Sequence, residues 1–191
     1  MKIKKVLFVL FSLTMFIFVA CSNGSINELE EEIETAEEGM RVFDESGFGF
    51  TVSYPNNWIY ETDAFLVVFS GPENTDEYFT TVNIQNLIKG EEGYSTLEDI
   101  YKDYREQFLT VNATRIGEME YEIFEQDNTE YPMIFFDVEY ERENEDFKQT
   151  ILVIERPGQV YHQFSYTAPA DLYELSEDIA DQMFESFKIV L

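Results

Sequence analysis

Residues 133–141 read Met-Ile-Phe-Phe-Asp-Val-Glu-Tyr-Glu. Ile134, Phe136, Val138 and Tyr140 alternate with Asp137, Glu139 and Glu141, a period of two that predicts a strand with one face on a core and the other in water. Upstream, Glu118–Ile123 repeats the pattern, with Met119, Tyr121 and Ile123 opposed by Glu118, Glu120 and Glu122. Downstream, Thr150–Ile154 is apolar on both faces, which predicts a central strand. After Pro157-Gly158 the stretch 159–167 supplies another, so residues 115–167 read as an antiparallel meander.

The chain before this meander carries three more strand-like stretches. Phe48–Tyr54 alternates and is stopped by Pro55-Asn56-Asn57, Ala64–Phe69 is a short apolar run, and Tyr78–Leu87 is rich in β-formers. Two segments switch to the helical period. Ser95-Thr-Leu-Glu98 matches a capping box, and Leu97, Ile100, Tyr101, Tyr104 and Phe108 follow on one face. Pro169 suits a helix start, and Leu172, Leu175, Ile179 and Met183 continue from it. The expected class is α+β, an α/β/α sandwich in which a central antiparallel sheet carries helices packed on its faces.

The N-terminus has a different texture. Lys2, Lys4 and Lys5 precede an uncharged run from Val6 to Ala20. At 1.5 Å per residue that run spans about 22 Å, short of the roughly 30 Å hydrocarbon core, so residues 1–20 read as a secretory signal peptide. The run ends in Phe18-Val-Ala-Cys21, which resembles a bacterial lipobox, with Phe18 where Leu is usual. The resemblance implies that Cys21 is lipidated and becomes the mature N-terminus. Cys21 is also the chain's only cysteine, so it has no intramolecular disulfide partner. The implied location is the extracytoplasmic face of the cell membrane, held by lipid on Cys21.

Residues 21–41 form an acidic tether with seven Glu between Glu28 and Glu38. Like charges four residues apart oppose a stable helix there, despite the stripe of Leu29, Ile33 and Ala36. Residues 42–191 are expected to form the domain.

Composition excludes more than it assigns. The 191 residues hold 12 Lys and Arg against 39 Asp and Glu, a net charge of −27, and losing the three leader lysines takes the body to −30. Nucleic acid is excluded as a partner because phosphate contacts require cations. A polybasic route to anionic lipid is excluded for the same reason, and acyl chains supply the anchoring instead. An acid excess spread over strand and helix faces also fits a saline or alkaline habitat, where salt screens self-repulsion.

Catalytic and metal signals are weak. The chain has one histidine, His162, on the apolar side of Val160-Tyr-His-Gln-Phe164, where packing is expected rather than base catalysis. Acidic clusters at 73–77, 125–130 and 141–146 offer oxygen ligands but lack the spacing of a calcium loop and read as hairpin turns. Carboxylate pairs arise by chance at this acid content, so they do not single out a hydrolase site. Trp58 is expected to close a core edge. No catalytic residue, cofactor or metal is assigned.

One stretch carries a family resemblance. Gly47-Phe-Gly-Phe-Thr-Val-Ser-Tyr-Pro-Asn-Asn-Trp58 is similar to the opening of PsbP-like (PsbP/Mog1) domains, and Met183-Phe-Glu-Ser-Phe187 to their closing motif. The resemblance covers residues 41–191 and implies an α/β/α fold with no shared catalytic motif. It further implies a bacterial lipoprotein that is a non-enzymatic binding or accessory protein, docking a protein partner or small ligand at the membrane surface. A carboxylate-dependent envelope hydrolase and a Ca²⁺-dependent surface module are the alternatives.

Overall fold

A computed structural model describes residues 39–45, 47–90, 93–111, 113–158 and 160–190. The signal segment, Cys21 and nearly all of the tether lie outside the described residues.

The meander is present. Strands β7 (Glu120–Gln126), β8 (Thr129–Arg142), β9 (Glu145–Glu155) and β10 (Val160–Pro169) pair in sequence, each antiparallel to the next. Ile151 to Ile154 are fully buried, as the two-faced apolar run requires. Beyond β10 the sheet continues through β5 (Thr81–Ile88), β4 (Leu66–Ser70) and β3 (Ile59–Asp63). At the other margin β6 (Arg115–Ile116) and β7 both pair with β8. Ile116 opposes Val138 while Glu120 opposes Phe135, so Gly117–Met119 hold one extra residue, a bulge.

A second, three-stranded sheet orders β1 (Met40–Phe43), β2 (Phe50–Pro55) and β11 (Lys188–Ile189). Sequence periodicity gives only β2 of these three, because β1 and β11 are too short to show a period. The small sheet packs through aromatic rings. Phe43 meets Phe69 edge-on at 5.6 Å, and Tyr54 lies 5.0 Å from Phe69.

Helix α1 (Leu97–Thr110) and helix α2 (Tyr173–Ser186) lie on opposite faces of the large sheet. Leu97 and Ile100 join a cluster with Ile134, Phe136, Val138, Ile151, Val153 and Tyr161. From α2, Phe184 meets Phe164 and Tyr173 meets Tyr166. Residues 161 and 164 are an odd number apart along one strand, so their side chains leave by different faces.

Three expectations need correction. The stretch 78–87 does not begin as a strand, because Asp76–Phe79 forms a 3₁₀ turn in which Thr80 N–H bonds the Glu77 carbonyl. The cap of α1 is Thr96 rather than Ser95, its Oγ1 accepting from the Asp99 N–H at 3.1 Å. Pro169 does not start α2. It ends β10 opposite Phe147, where a strand terminus tolerates its missing donor, and the helix begins at Tyr173 after a turn from Leu172 N–H to the Pro169 carbonyl.

Candidate functional site

The two faces of the large sheet are covered unequally. On the α2 side Val67, Phe69, Val82 and Ile84 are fully buried. On the α1 side their neighbours Leu66, Val68, Asn83 and Gln85 are only half-buried, because the apolar cluster under α1 extends on this side only as far as Leu87 of β5. Strand register places Val68, Asn83 and Ser165 in one cross-strand row and Leu66, Gln85 and Gln163 in the next. This open half therefore presents the Asn83 and Gln85 amides beside Leu66 and Val68, uncharged groups in a strongly acidic chain, while Gln163 and Ser165 at its inner margin are buried.

Local bonding fixes part of that surface. The Tyr104 hydroxyl donates to Oε1 of the buried Gln163. Burial, reinforced by Tyr94 and Asp103, pushes the Tyr104 phenol well above its usual range, so it stays a donor. Burial and the bond to Asp103 push Tyr94 up to about 12. Asn83 Oδ1 and Ser165 Oγ are buried without a partner among the described residues. Sequence reading missed these residues, although the alternation Thr81-Val-Asn-Ile-Gln85 marks them: here the polar side of a strand carries amides where other strands carry Glu.

The second open margin is β7. Tyr121 and Ile123 are 58% and 51% exposed, which corrects the expectation of a half-buried strand. The alternation there is real, but the cluster beneath α1 draws on β8, β9 and β10 and on no residue of β7, and Tyr121 meets the helix only through its hydroxyl, which donates to the Glu98 carboxylate. Glu120, Glu122 and Glu125 are exposed as well.

The remaining sequence candidates take structural places. His162 is completely buried between Phe50 and Phe187, with Nδ1 2.7 Å from Asn86 Oδ1. Burial, then the nearby Arg156 charge, push it down to about 4, so it is neutral at physiological pH. Trp58 is buried, its N–H closing the turn onto the Pro55 carbonyl. Of the acidic clusters, 125–130 and 141–146 span the β7–β8 and β8–β9 turns, and 73–77 lies in the β4–β5 connection. Among the described residues no group of three or more His, Cys, Asp or Glu side chains converges as metal ligands would. Two clefts of about 240 and 270 Å³, one beside Lys148 and one between α2 and Ser53, fall below the roughly 300 Å³ at which drug-sized sites begin.

The motifs behind the family resemblance have physical roles. Gly49 has a positive φ of 73°, and a side chain there would collide with the Arg156 guanidinium. Ser186 Oγ accepts from the Ser53 N–H at 2.8 Å and so bolts α2 to β2, while Phe187 is buried against Phe50 and Phe124.

No protein-family model matches the chain, and no curated protein is significantly similar to it. Solved structures do match. The solution structure of cyanobacterial PsbP from Synechocystis sp. PCC 6803 superposes with a TM-score of 0.52 at 16% identity, covering 81% of this chain and 94% of that one. The Ran-binding protein Mog1p of Saccharomyces cerevisiae gives 0.50 at 13% identity, over 79% and 95%. A Bacteroides thetaiotaomicron VPI-5482 protein gives 0.53 at 14% identity over 80% of this chain but only 49% of its own length. The chain therefore has the PsbP/Mog1-like fold, a mostly antiparallel sheet domain with two helices.

Proposed function

We propose that the protein is a lipid-anchored, non-enzymatic binding or accessory protein on the extracytoplasmic face of the cell membrane. Acyl chains on Cys21 hold it there, the acidic segment of residues 21–41 sets its reach, and the folded domain offers a surface to a protein partner or small ligand. The observation that carries this reading is the open α1-side face of the large sheet, where Asn83 and Gln85 stand half-exposed beside Leu66 and Val68 in place of a covering layer. A surface of amides and aliphatic groups suits recognition, because its donors and acceptors can be matched without the cost of burying charge. The Ran-binding character of Mog1p, a protein of the same fold, supports a protein as the partner.

Two measurements test it. Cys21→Ser is expected to release the protein from the membrane fraction, and a variant still tightly bound there overturns the anchor. A photo-crosslinking residue at Gln85 is expected to capture one discrete partner in intact cells. The same residue at exposed Leu175 on α2 serves as the control. Equal labelling from both positions overturns the binding face.

A further inference from the structure

We infer that the outer edge of β7 accepts an extended segment of a protein partner, alternating basic and apolar side chains, as an added strand. The inference deepens the reading of the domain as a partner-binding module and rests on it. It does not depend on the lipid anchor.

The edge is open and correctly oriented. Gln126 opposes Thr129 across the two-residue turn Asp127-Asn128, so that pair is bonded across the hairpin. Alternation then directs the backbone groups of Glu120, Glu122 and Phe124 towards β8 and those of Tyr121, Ile123 and Glu125 outward. Among the described residues no other strand pairs with that side of β7. The bulge at Gly117–Met119 sets β7 off from β6 as a separate stretch of edge.

Side chains select the occupant. Glu120 and Glu122 point to one face of the sheet and the exposed Tyr121 and Ile123 to the other. An incoming strand with Lys or Arg beside the two carboxylates and apolar residues beside Tyr121 and Ile123 satisfies both rows at once. A second copy of the chain does not, because self-pairing sets glutamates against glutamates. The same charges that forbid aggregation thus admit a basic strand, which is how one edge both repels and selects. The opposite margin, β3, lacks this combination. Its Tyr60 packs on Phe43, Tyr54 and Phe69, and Glu61, Thr62 and Asp63 offer no apolar row.

The test titrates the full chain, held in nonionic detergent, with a short peptide alternating Lys and Val. The comparison peptide has the same composition with its lysines and valines in separate blocks. Slowed hydrogen exchange is expected at the amides of Tyr121, Ile123 and Glu125, with at least about tenfold weaker binding of the blocked peptide. Ile123→Pro, which deletes an outward donor while sparing the β8 ladder, is expected to weaken the alternating peptide by at least about tenfold. Glu120→Lys combined with Glu122→Lys is expected to do the same, and this surface pair keeps the test decisive if the proline variant does not fold. Equal affinity for both peptides, unprotected amides, or binding unchanged in the charge variant overturns the proposal. Discrete crosslinking from Gln85 alongside any of those results leaves the partner-binding reading standing and removes only β7.

Discussion

The side chain of Gln126 acts as a strand partner for Ile189. Its Nε2 donates to the Ile189 carbonyl at 2.9 Å and its Oε1 accepts from the Ile189 N–H at 2.7 Å, across 63 residues of sequence. The two-residue strand β11 is thereby held on both sides, by β2, where Lys188 and Ile189 pair with Thr51 and Phe50, and by this one amide. Gln126→Ala leaves both backbone groups of Ile189 without these bonds, so it is expected to destabilise the domain by about 1–3 kcal/mol. Gln126→Glu retains the acceptor but sets a carboxylate oxygen against the Ile189 carbonyl, and is expected to cost at least as much. Chemical denaturation measures both, and faster exchange of the Ile189 amide places the loss at β11.

His162 makes stability depend on pH in a predictable window. Asn86 Nδ2 donates to the Phe48 carbonyl at 2.8 Å, which fixes Asn86 Oδ1 as the acceptor facing His162. The histidine proton is therefore on Nδ1, and Nε2 is buried without a partner among the described residues. With the folded group pushed down to about 4 from the ordinary 6.5, the unfolded chain binds a proton that the native one refuses. The contribution is complete above about pH 6.5 and is lost as pH falls towards 4, roughly 3 kcal/mol across that window. Relief of the net negative charge acts in the opposite direction, so the informative quantity is a difference. The stability of the native protein minus that of His162→Gln is expected to shrink between pH 6.5 and 4, and a constant difference counts against this account.

The fold is legible wherever burial repeats along a strand or helix, as at Ile134-Phe136-Val138 and Leu97-Ile100-Tyr104. It is illegible where the deciding contact is distant in sequence. Nothing local to Lys188-Ile189 announces a strand, because its partners are Thr51, Phe50 and Gln126. Tyr121 and Ile123 show the converse. Their alternation predicts an inward face, and only the position of α1 over β8 decides that the face is bare. The amides Asn83 and Gln85 are visible as uncharged alternation, yet their grouping with Ser165 and Gln163 depends on β5 pairing with β10, which sequence order does not reveal.

The β8–β9 turn holds a residue ill-suited to its backbone. Arg142 opposes Glu145, so Glu143 and Asn144 form a two-residue turn, with φ of 58° and 66°. Positive φ at both positions is the type I′ geometry, which favours Asn, Asp and Gly. The β7–β8 turn meets that requirement with Asp127 and Asn128, whereas Glu143 does not. Glu143→Asn or Glu143→Gly is expected to stabilise the domain by about 0.5–1 kcal/mol. Asp127→Asn, at a site already suited to its conformation, is expected to change little. Thermal melts of the three variants under one buffer condition decide the matter.

Helix α2 concentrates the acid excess in a form that salt relieves. Asp181 lies between Glu177 and Glu185 at spacings of four residues, the separation at which like charges on a helix repel. Partial burial, with Glu177, Glu185 and Asp178 adding to it, holds the Asp181 carboxyl above the usual carboxylate range. A raised folded value means that this group's contribution is fully present below its unfolded value and is lost as pH rises through the folded one. At neutral pH Asp181 is therefore a net cost. Asp181→Asn is expected to raise stability there by a few tenths of a kcal/mol, and the gain is expected to vanish once acid protonates the native side chain. Raising NaCl from about 0.1 to 1 M shortens the screening length from about 10 Å to 3 Å, less than the roughly 6 Å between neighbouring side chains on this helix face. The melting temperature is thus expected to climb with salt, and to climb less in Asp181→Asn. A melting temperature that falls with added salt contradicts the self-repulsion argument and, with it, the saline or alkaline habitat that the composition suggests.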